Sequence, residues 1–107
     1  MKKMLLATTA AALVATTAMA DGHAKEVKLG VEFGFTGPIE SLTGPMSAGA
    51  ELAMKEVTDS GMLLDGAKVT SIRADSGCID NGLAVASAER LIAEGVSGII
   101  GADCSGV

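Results

Sequence analysis

The residues able to do chemistry lie in two short stretches of this 107-residue chain: Asp75–Asp80 (DSGCID) and Gly101–Val107 (GADCSGV). Each follows an apolar run, and each carries one cysteine, Cys78 or Cys104. Ser105, next to Cys104, sits where a strand should end and a helix begin. In an open α/β sheet, ligands bind at such positions. A hydroxyl and free backbone N–H groups there suit an anionic group such as a carboxylate. The competing role for Ser105 is an ordinary helix N-cap, which serine favours. Two cysteines in an exported chain most simply form one bridge. Closing a loop of about 27 residues stabilises by roughly 3.5 kcal/mol in chain-entropy terms. Two separate thiols are the alternative.

Catalytic readings find little support. Gly101 and Gly106 have the spacing of a phosphate loop, but no Lys-Ser/Thr follows. No Gly-x-Ser-x-Gly elbow surrounds Ser105. The single histidine, His23, lies in a polar lead-in, so a Ser-His pair has no base. The cysteines lack the paired spacing of a zinc site, and no cofactor motif is present. Asp75 and Asp80 read as a solvated loop group and a helix cap. The two stretches therefore read as part of a ligand site, and catalysis is not expected of them.

These residues need a scaffold, and the apolar pattern supplies one. Glu26–Phe33 alternates, with Val27, Leu29, Val31 and Phe33 on one side, and predicts a strand. Gly34–Gly44 (GFTGPIESLTG) is a shaped loop in which Thr-Gly-Pro begins at Thr36 and recurs at Thr43. Pro45 suits a first helical position, so a helix is predicted from Pro45 to Ser60. Its buried stripe is Met46, Ala50, Ala53, Met54 and Val57, and Gly61 stops it. Asp65-Gly66 marks a turn, and Lys68–Ala74 is a weaker strand. Asp80 caps a second helix to Glu94, with Ala84, Ala88, Leu91 and Ile92 inward. Val96–Ile100 is the last strand.

The order β-α-β-α-β defines an α/β fold: a parallel sheet with flanking helices, strand order 2-1-3. That order puts the switch point between strands 1 and 3, so Gly34–Gly44 and Gly101–Val107 share one crevice. It also sets a conflict. Cys78 follows strand 2 and Cys104 follows strand 3, nearly 10 Å apart across strand 1. A disulfide needs Cα atoms within about 7 Å. Both loops must lean over the end of strand 1 for a bridge to form.

The first twenty residues read as a signal peptide. Lys2 and Lys3 precede an apolar, Thr-rich run, and Ala18-Met19-Ala20 gives small-x-small cleavage after Ala20. The alternative, an uncleaved membrane anchor, is opposed by the shortness of the run and its four threonines. The formal charge of −5 becomes about −7 once the two leader lysines are removed. Nucleic acid and anionic lipid are poor partners for such a surface. Cleavage would also expose Asp21-Gly22-His23. Its amine, two amide nitrogens and imidazole could surround Cu(II) or Ni(II), against the plainer reading of a polar lead-in.

Three blocks carry a family resemblance: VKLGVEFGFTGPIESLTGPMSAGAELAMKEV, ADSGCIDNGLAVASAERLIAEGV and SGIIGADCSGV. Together they resemble the amino-terminal part of the leucine/isoleucine/valine-binding protein family, periplasmic solute receptors of ABC importers. The resemblance implies a two-lobed α/β receptor, without catalysis, closing on a small amino acid or amide-like solute and delivering it to a membrane permease. Residues 21–107 would be an incomplete amino-terminal lobe. The resemblance implies that Ser105 binds the ligand α-carboxylate and that Cys78 and Cys104 form the bridge. It places Leu42 on a side wall where an aromatic residue often stands, which leaves the solute open. An extracellular sensor domain is the alternative use of the same fold.

Overall fold

A computed structural model describes residues 25–107 of the chain. The leader, its cleavage site and the Asp21-Gly22-His23 motif lie outside the described residues. Three parallel strands, β1 (Glu26–Phe33), β2 (Lys68–Asp75) and β3 (Gly98–Ile100), form a sheet of order β2-β1-β3. The register pairs Phe33 with Asp75 and Val31 with Ile100. Two helices, α1 (Glu40–Ser60) and α2 (Asn81–Ala93), make the crossovers. The order reverses at β1, which puts the helices on opposite faces and makes β1 the most covered strand.

Alternation in β1 divides its side chains between these helices. Val31 and Phe33 pack with Met54 of α1, and Leu29, Phe35, Ala50 and Val69 surround that core. On the other face, a Cβ at Gly30 would lie 2.7 Å from Leu91 Cδ1 of α2. Gly30 is therefore the gap that Leu91, fully buried, fills.

The first helix begins earlier than Pro45. The chain is already helical at Glu40, and Pro45 lies inside α1. Proline forfeits one i→i−4 bond and crowds the preceding turn. Thr43 and Ser47 are buried, with their hydroxyls donating to the carbonyls of Glu40 and Gly44. The buried stripe is accordingly Thr43, Ser47 and Met54, with Ala50 half-buried, and not the all-apolar one. Met46, Ala53 and Val57, predicted in the stripe, are exposed.

The second helix begins as predicted: Asp80 caps it by accepting the Leu83 amide at 2.9 Å. Ile92, predicted inward, is 67% exposed, and Ser87 is buried in its stead, donating to the Asp75 carbonyl. The last strand is shorter than its apolar run, because Val96 and Ser97 form the approach to it. None of the described helices is long and apolar enough to cross a membrane.

Candidate functional site

All three strands point their carboxy-terminal ends to one edge, and three exit segments converge there. The β1 exit is Gly34–Ile39, shorter than the predicted loop because α1 takes its second half. Gly37 has φ +97°, and a Cβ on it would lie 2.8 Å from the Gly77 carbonyl oxygen. This first Thr-Gly-Pro is thus a close backbone approach between the β1 and β2 exits.

Two carboxylates and one disulfide tie the exits together. Asp75, the last residue of β2, accepts from the Thr36 amide (3.1 Å), the Thr36 hydroxyl (2.6 Å) and the Gly77 amide (2.9 Å). Asp103, after β3, accepts from the Gly34 amide on both its oxygens, at 3.1 and 3.0 Å. The Cys78–Cys104 bridge joins the β2 and β3 exits with Cα atoms 5.2 Å apart. It resolves the spacing conflict by crossing over the end of β1. A Cβ at Gly34 would fall 2.9 Å from the Cys78 Cβ, so glycine is what lets the bridge pass.

Asp75 is therefore more than the solvated loop group expected from its neighbours. Burial works to raise its pKa, but the Thr36 hydroxyl and the Gly77 and Thr36 amides outweigh it, and the carboxyl lies below its usual range. Glu32, next to the β1 exit, is the opposite case. It is 6% exposed, and burial pushes its carboxyl up. On the α1 side, Arg73 makes a two-pronged ion pair with Glu51 at 2.7 Å and lies 5.6 Å from the Phe35 ring centroid. The Arg73 hydrogen bond holds the Glu51 carboxyl below its usual range.

Ser105 lies in a turn directly after the bridge and is exposed. The adjoining Gly106 packs on the β2 exit, where a Cβ would meet the Cys78 carbonyl oxygen at 3.4 Å. The turn is thus seated on this edge with Ser105 exposed. Leu42 is 58% exposed in the first turn of α1, at this same edge but on the helix, not in a loop. The structure brings Cys78, Cys104 and Ser105 together; Leu42 shares their edge from a separate element. Sequence reasoning missed Asp103 and the linking role of Asp75. Their partners are 69 and 39 residues away, and no local pattern announces bonds over such separations. Among the described residues no group of three His, Cys, Asp or Glu side chains is placed to hold a metal ion.

This fold and edge can be set beside known proteins. The chain belongs to the Periplasmic binding protein family, whose sequence profile matches residues 26–107. It is similar to the "Leu/Ile/Val-binding protein homolog 7" of Brucella melitensis biotype 1, at 36% identity over 99% of this chain and 25% of the relative. The proteins of that name from Brucella suis biovar 1 and Brucella abortus match to the same extent. The chain thus spans about a quarter of the length of these curated relatives.

Proposed function

We propose that this chain is the amino-terminal part of an exported solute-binding protein serving an ABC importer. Residues 1–20 act as a leader cleaved after Ala20, and residues 21–107 form the first part of one lobe, working in the periplasm. The solute is a small amino acid of the branched-chain type or an amide-like relative. No bond is broken; the protein carries its ligand to a membrane permease. Family membership and the names of the relatives support this class.

The observation that carries the reading is the tied edge. The exits of β1 and β3 are joined through Asp103 and Gly34, and the exposed Ser105 follows within two residues. A hydroxyl and turn amides held at the ends of parallel strands can take a carboxylate without reorganising. Leu42 supplies an apolar wall at the start of α1, suited to an aliphatic side chain more than to a stacked ring.

The test is calorimetry on the complete protein with the twenty amino acids. Ser105→Ala is expected to weaken the best ligand by about 1.5–3 kcal/mol, the loss of one charge-assisted hydrogen bond. Unchanged affinity would remove Ser105 from the site. Amino-terminal sequencing of the exported protein checks the leader; any start other than Asp21 contradicts the cleavage assigned here.

A further inference from the structure

The turn that carries Ser105 hangs from a very short strand. β3 has three residues, and its pairing with β1 ends where Ile100 meets Val31. Past that point the chain must cross four residues to reach Ser105 with no ladder to guide it. On one side the turn is anchored by Cys104 to Cys78, on the β2 exit. One covalent attachment fixes a distance but leaves rotation about its single bonds. A second attachment, to a different neighbour, removes that freedom.

Asp103 provides it. Its half-buried carboxylate takes the Gly34 amide on both oxygens, at 3.1 and 3.0 Å, where the β1–β3 ladder has stopped. Gly34 itself is buried, and a Cβ on it would lie 2.9 Å from the Cys78 Cβ, so its backbone passes directly under the bridge. We infer that Asp103 is a positioning residue: it clamps the Ser105 turn to the β1 exit, and with the disulfide it presets the hydroxyl for the ligand. This inference rests on the reading of Ser105 as a ligand contact. Asp103 does not touch the ligand; it acts through the turn it shares with Ser105.

The experiment uses the complete protein and the amino acid that raises its melting temperature most among the twenty. Amide exchange at Gly34 and calorimetry are measured for Asp103→Asn, Asp103→Leu, Ser105→Ala and the Ser105→Ala/Asp103→Leu double variant. Asp103→Leu should speed Gly34 exchange and weaken binding by about tenfold or more, as expected for one hydrogen bond to a charged group. Asp103→Asn, which keeps one acceptor oxygen, should recover most of that loss. In the Ser105→Ala background, Asp103→Leu should cost under about twofold more, because the pair acts as one unit.

An undiminished penalty in that background would make Asp103 a general structural residue and overturn the inference. So would unchanged Gly34 exchange in Asp103→Leu. If Ser105→Ala alone leaves affinity intact, the Ser105 assignment is the part that fails, and this inference with it. Should Asp103→Leu not fold, Asp103→Ala takes its place in the cycle.

Discussion

Two carboxyls near the β1 exit should answer pH in opposite directions. Asp75 is held below its usual range by its donors, after these overcome burial. Its stabilising effect is then present above the unfolded carboxylate pKa and is lost as pH falls through the lower folded value. Asp75→Ala is expected to lower the melting temperature of the complete protein at pH 7, with the gap closing in strong acid. A constant gap across the titration would show that its bonds do not depend on charge. Glu32 is raised by burial, so the folded state binds its proton more tightly than the unfolded one. It costs stability as pH rises past the unfolded pKa towards the folded value. Glu32→Gln should therefore raise the melting temperature at pH 7 and lose that advantage near pH 4. Thermal melts at the two pH values decide it.

Among the elements, the helices show what the one-dimensional pattern captured. α2 was legible because its cap is local: Asp80 reaches an amide three residues on. Its inner face was less so. Ser87 took an inward position from Ile92 because its hydroxyl can bond the Asp75 carbonyl at the end of β2. The same blindness shifted the start of α1. Thr43 falls in the predicted loop and Ser47 outside the predicted apolar stripe, yet their hydroxyls turn back onto their own helix and let polar positions be buried. Pro45→Ala should restore the missing amide to α1 and stabilise the complete protein by up to about 3 kcal/mol. Leu91→Ala, by contrast, should cost about 2–5 kcal/mol, since Leu91 is fully buried against Gly30. Chemical denaturation reads both; an equal cost for Ile92→Ala, at an exposed position, would mean that α2 is rotated.

At the scale of the molecule, the βαβαβ pattern and right-handed crossovers point to a parallel sheet, and the expected order 2-1-3 is the one observed, with the strand exits gathered at one edge. The bonds across that edge did not follow, because Asp103 and Gly34 meet only after the sheet is assembled. The sheet also leaves something unfinished on the α1 side. Val27, Leu29, Ala53, Val57 and Ile100 line a groove of about 450 Å³ walled by apolar atoms, and β3 has no second neighbour strand among the described residues. A polypeptide ending at Val107 should bind a hydrophobic dye and self-associate through that strand. The relatives' lengths leave room for further chain to cover it. A monomeric, dye-silent polypeptide of these residues would show that the groove closes on itself.

The bridge over Gly34 makes the middle strand a matter of timing. Cys78 and Cys104 belong to strands that are not neighbours, and β1 occupies the slot between them. Oxidation before β1 has settled would staple β2 beside β3 and lock the central strand out. A chain emerging amino end first presents β1 before either thiol appears, so synthesis order itself guards against that trap. Refolding from denaturant has no such order, and oxidising the thiols before dilution should then yield less native protein than oxidising them after.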